Sequence, residues 1–145
     1  MKRLLPALLL VAAGPVVADD AAAKKFLKDI EGTYTVASLS KGGEPAPEEF
    51  TKAVTIVIEK DTLTFKMGKD MDKVATVVVD PAQKPVAIDL TPKDGPDAGK
   101  PMLGIVKVEK DTVTLCFPDE PKATRPKEFA SPKGSDVMIL VLKKK

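Results

Sequence analysis

The chain has no histidine and no tryptophan, and it has one cysteine and one tyrosine among its 145 residues. Each shortage removes a class of chemistry. Without histidine the commonest general base and the commonest metal ligand are gone. Nucleophile activation by a Ser-His or Cys-His pair is excluded with them. The lone Cys116 cannot close a disulfide within the chain, and a free thiol is tolerated in an oxidising compartment when it is buried. No apolar run reaches the roughly 20 residues that cross a bilayer as a helix. Charge of one sign is also missing: Lys and Arg number 23 and Asp and Glu 21, spread along the chain. Such a chain lacks the one-sided basic surface that nucleic-acid binding requires. The expectation is a protein that is not an enzyme and has no catalytic residues, metal or cofactor.

What is present begins with MKRLLPALLLVAAGPVVADD. Lys2 and Arg3 precede an apolar stretch over residues 4–13, broken soon after by Gly14, and Val16 and Ala18 supply small residues at −3 and −1 of a cut before Asp19. This is the three-part layout of a signal peptide, whose apolar region runs to about 7–15 residues. Residues 1–18 are read as the signal peptide and 19–145 as one domain, periplasmic or secreted. No cysteine follows the apolar stretch, so a lipid anchor is not expected. Loss of Lys2 and Arg3 makes the two charge counts equal.

Asp20 can cap a short helix through Glu31, with Phe26, Leu27 and Ile30 on one face and Gly32 as its stop. A helix this short is marginal alone and needs an apolar surface to lie on. From Gly32 the apolar period becomes two. Tyr34 and Val36 alternate with threonines, then Val54, Ile56 and Ile58, then Leu63, Phe65 and Met67. A β-branched run covers residues 74–79. Val86, Ile88 and Leu90 follow, then Val106 and Val108, then Val113, Leu115 and Phe117, and an apolar run over 137–142. Eight short strand candidates, six alternating and two continuous, are the pattern of an all-β sandwich or barrel. Residues 41–49 (KGGEPAPEE), 80–85, 91–101 and 118–132 read as loops and corners from their Gly and Pro content.

Two segments are nearly the same: EKDTLTF at 59–65 and EKDTVTL at 109–115. Each reads as the end of a strand, a tight turn at Lys-Asp with the Asp in the left-handed region, and a new strand whose Thr-x-Thr lies on one face. Outside these stretches the segments diverge, Val57 standing against Lys107 and Lys66 against Cys116. Two similar hairpins account for this better than a duplicated domain or a duplicated catalytic loop.

Landmarks in a particular order add a resemblance. They are Ile30-x-Gly32-x-Tyr34, Asp80-Pro81 with Lys84-Pro85-x-x-Ile88-Asp89-Leu90, Gly104-Ile105, Asp111-x-Val113-x-x-Cys116, Arg125-Pro126-x-x-Phe129, and a basic tail. In this order they resemble the uncharacterised planctomycete paralogous domain family, which is exported and lipocalin-like. The chain departs from it at Tyr34, where the family usually has Trp, and at Val106, where it often has Tyr. The resemblance implies an antiparallel lipocalin-like barrel of about eight strands with a short N-terminal helix, and by analogy an interior that receives a ligand.

The inward set is then Tyr34, Val36, Leu63, Phe65, Met67, Val106, Val108, Leu115 and Phe117. It suits a small apolar or amphipathic ligand, and it equally suits a solid core, since an eight-stranded barrel can be filled by side chains. In the second case the chain is a module for a protein or cell-envelope partner. Arg125, held extended by Pro126, can bind a ligand carboxylate bidentately. Alternatively it pairs with Asp89 or Asp111 or stacks on Tyr34. Asp94, Gly95 and Asp97 lack the ligand spacing of a calcium loop, and Asp70 and Asp72 read as solvated loop charges. For the first of these expectations the outcome is direct: N-terminal sequencing of the exported protein starts at Asp19, and a soluble protein retaining Met1 contradicts it.

Overall fold

The structure is a computed structural model that describes residues 20–68, 72–121 and 123–145. The signal peptide assigned to residues 1–18 and the charge at Asp70 lie outside the described residues. α1 (Asp20–Asp29) is followed by β1 (Gly32–Lys41), β2 (Glu44–Pro45), α2 (Glu48–Ala53), β3 (Val54–Glu59), β4 (Thr62–Met67) and β5 (Asp72–Asp80). β6 (Val86–Pro92), β7 (Met102–Glu109), β8 (Thr112–Pro118) and β9 (Val137–Lys144) complete the order. The expected strands all form, and every neighbouring pair is antiparallel. β1 also pairs with β9, from Tyr34↔Lys144 to Lys41↔Met138, which closes eight of the strands into a barrel. β2 is a spur on β1, turned by Gly42 and Gly43 at φ 59° and 81°, a two-residue hairpin turn that wants positive φ at both positions.

Three local expectations are corrected. Residues 41–49 are not wholly loop, because they hold β2 and the start of α2. Pro47 precedes the helix with Glu48 and Glu49 in its first turn and Lys52 in its last, an order of charges that favours a helix. α1 stops at Asp29 rather than Glu31, because the chain turns at Ile30 to enter β1. Asp72 opens β5 instead of lying in a loop.

The near-repeat marks two equivalent hairpins. Glu59↔Thr62 and Glu109↔Thr112 are the last pairs before the turns, and Lys60 and Lys110 both have φ of 55°. It is thus Lys, not Asp, that takes the left-handed conformation. The Asp that follows aims its carbonyl at the next strand: Asp61 O accepts from Val77 N at 2.7 Å and Asp111 O from Lys144 N at 2.9 Å. In the ring the β3–β4 and β7–β8 hairpins stand four strands apart, on opposite sides of the barrel.

Inward side chains fill the barrel in one cluster that includes Tyr34, Ile56, Ile88, Val106, Leu115 and Leu142. α1 closes one end. Ala23, Phe26 and Leu27 pack on the cluster at helical spacing, and the Tyr34 hydroxyl donates to the Ile30 carbonyl at 2.7 Å. Both repeat turns lie at this end. The opposite end carries α2 and the long β6–β7 and β8–β9 connections. Gly104 lets β7 and β8 approach closely: a Cβ there would sit 2.7 Å from both Cys116 O and Phe117 Cβ.

A left-handed non-glycine residue costs about 1–2 kcal/mol, and glycine gives back roughly 0.5–1 kcal/mol through the entropy of the unfolded chain. Lys60→Gly and Lys110→Gly, both at exposed positions, should therefore each raise the unfolding free energy in urea by about 0.5–1 kcal/mol. A loss of stability in both variants contradicts the turn geometry.

Candidate functional site

Eight of the nine residues of the expected inward set line one interior. Tyr34, Val36, Leu63, Val106, Leu115 and Phe117 belong to the buried cluster, and Phe65 and Met67 pack against it half-buried. Val108 does not join them. It keeps the inward side of β7 opposite buried Val113, but it is 39% exposed at the turn end of the strand, where the chain leaves the core, so it does not line the interior.

The interior differs along its length. Val106 and Leu115 are 1% exposed, and Ile56 and Leu142 are 0%. Side chains so completely covered have no water-sized space beside them, so this part of the barrel is filled at the density of a core. Around Phe65 and Met67 the packing is looser. Met67 ends β4, Met102 begins β7 and Met138 lies one residue into β9, so the antiparallel order brings all three to the end of the barrel away from α1. Phe50 of α2 and Ala46 also pack there against the cluster, partly buried. Three of the five methionines in the chain thus stand at one mouth. Extending the alternation one step outward from Gly104 and Leu140 would have identified Met102 and Met138. Phe50 escaped because its helix was not expected.

Arg125 is set apart from the eight. Its Nη2 donates to Asp89 Oδ1 at 2.8 Å, and Nη1 donates to the Gly104 and Ile88 carbonyls at 2.7 and 3.2 Å. Ile88 and Leu90 both point into the core, so Asp89 between them points outward, and the guanidinium lies on the outer wall across β6 and β7. Of the roles weighed for it, the structure forms the pairing with Asp89.

Cys116 also faces outward, although it is fully buried. Its Sγ is 3.6 Å from Glu128 O and 3.7 Å from Ala130 O. Burial pushes the thiol above its ordinary pKa, which keeps it in the unreactive protonated form. Burial likewise raises Tyr34. Lys41 is raised by its hydrogen bond and ion pair with Asp119. Among the described residues no group of three or more His, Cys, Asp and Glu is placed to hold a metal ion, and no helix is long and apolar enough to cross a membrane.

Two open clefts lie outside the barrel. One of about 440 Å³ runs between α1 and the β3–β4 turn, lined by Lys24, Leu27, Lys28, Glu31, Lys60 and Asp61. The other, about 370 Å³, lies between the β1–β2 turn and the end of the β8–β9 connection. Neither is lined by a residue of the inward set or by Arg125. Comparison of the chain with protein-family models, with curated proteins and with solved structures finds no match.

Proposed function

We propose that the chain is an exported, lipocalin-like binding domain that performs no catalysis and takes a small apolar or amphipathic ligand at the methionine-lined mouth of its barrel. The observation that carries this reading is the contrast within the interior. The middle of the barrel is filled, whereas Phe65, Met67, Met102 and Met138 keep part of their apolar surface uncovered toward the end away from α1. Methionine is unbranched and polarizable, and it adapts to ligands of differing shape. Export rests on the charged, apolar and small-residue segments before Asp19. The resemblance to an exported, lipocalin-like family points the same way.

The second reading is a module that binds a protein or envelope partner through its outer surface. The filled middle of the barrel favours it, as does Val78, which stands outward on β5 at 48% exposed.

The two readings separate in a titration of methyl-labelled methionine with dodecanoate, followed by NMR. Under the first, the Met67, Met102 and Met138 methyl signals shift and saturate together. Met102→Ala then weakens binding about tenfold, the effect of removing roughly 1–2 kcal/mol of apolar contact. Unmoved signals at all three methionines, in native protein up to the solubility of the probe, rule out the mouth as a ligand site.

A further inference from the structure

We propose that residues 123–131 form a strap that opens as a unit from the outer wall of the closed barrel, with Arg125 as its fastening. β8 ends at Pro118 and β9 begins at Val137, and 123–131 contains no strand or helix. Its backbone takes no part in the sheet ladders. The backbone hydrogen bonds donated from it, Ala123 N to Glu120 O and Ala130 N to Glu128 O, stay within the same connection. Attachment to the barrel therefore falls to side chains. Arg125 makes three bonds across β6 and β7. Ser131 Oγ, at the far end of the strap, donates to Val137 O at 2.7 Å and accepts from Gly43 N at 2.9 Å. Between these two points Phe129 lies under the Lys107 ammonium, 4.9 Å from the ring centre.

Beneath the strap lies an apolar row that a barrel exterior would ordinarily expose to water. Ala87, Ile105 and Cys116 are paired in register across β6, β7 and β8. All three point away from the inner cluster, yet they are 3%, 1% and 0% exposed. Opening the strap uncovers this row and leaves every ladder bond of the ring intact. A segment with no ladder bonds, a small apolar footprint and two side-chain anchors, Arg125 and Ser131, belongs to the least stable part of a fold. Among the described residues the second hairpin of the near-repeat carries such a cover and the first does not. The fold thus keeps an apolar outer row under a segment whose strongest attachment is one guanidinium.

Cys116 reports the opening, because the strap carbonyls of Glu128 and Ala130 sit against its sulfur. The experiment measures native labelling of Cys116 by a small maleimide against urea concentration, alongside amide exchange of β3 to β5. In the wild type, labelling at low urea should depend only weakly on urea, because little surface is exposed on opening. Arg125→Gln should speed labelling by at least about 10-fold, the effect of losing even one of its bonds from a charged donor. The β3–β5 amides should keep their protection relative to the variant's own global stability. Arg125→Lys, which retains charge without the fork, should fall between. Wild-type labelling with the full urea dependence of global unfolding overturns the proposal. So does an Arg125→Gln rate that rises only in step with barrel amide exchange, or a rate equal to that of the wild type.

Discussion

The pairing of β1 with β9 is the constraint on which the other features depend. A sheet that begins at Gly32 and ends at Lys144 has two edges, and exposed edges invite pairing with other chains. Joining them removes both and encloses an apolar interior. β1 makes this possible by serving two neighbours. Residues Gly32, Thr33, Tyr34 and Thr35 pair with β3, while the strand from Tyr34 to Lys41 pairs with β9. The register slips between Val36 and Ser38, and the extra residue there bends the strand as a β-bulge does. The inward set consequently passes from Tyr34 and Val36 to Leu39, an odd step that keeps Leu39 opposite Leu140 inside the barrel.

Closure divides the molecule into parts with different freedom. In the middle of the barrel the interior side chains are fully buried, and Tyr34 is anchored by its hydrogen bond to Ile30. At the other mouth the long connections and α2 leave Phe and Met side chains partly uncovered. The outer wall is divided too. Over β3, β4 and β5 the register rows carry Thr33, Val57, Thr64 and Val74 side by side, with Val78 open to solvent. Over β6, β7 and β8 the corresponding wall is roofed by the Arg125 segment. Two hairpins of nearly the same sequence thus have different surroundings, set by what the chain does after each of them.

The fold class was legible because alternation survives in each strand: Val54-Ile56-Ile58 and Val113-Leu115-Phe117 needed only a period of two. The paired hairpins were legible from the repeated EKDT. The left-handed lysines were not, because residue preference favours Asp at such sites, and turn geometry here overrode it. α2 was hidden in a Pro- and Glu-rich stretch that reads equally as loop. Val108 was misplaced because alternation states which face a residue takes and does not state where the core ends. The outward burial of Ile105 and Cys116 could not be inferred from strand pattern, since it depends on a segment many residues later folding back. Arg125 stood out in the sequence, but its partner was undetermined among Asp89, Asp111 and Tyr34 until β6 placed Asp89 outward.

Amide hydrogen exchange across the β1–β9 seam tests the closed barrel most directly. If closure holds the fold together, the slow amides of residues 38–41 and 139–142 exchange only through global unfolding, at the same free energy as those of β8 around Leu115. Exchange there through local fraying, well below the global free energy and insensitive to denaturant, is the behaviour of two free edges and would contradict a closed barrel.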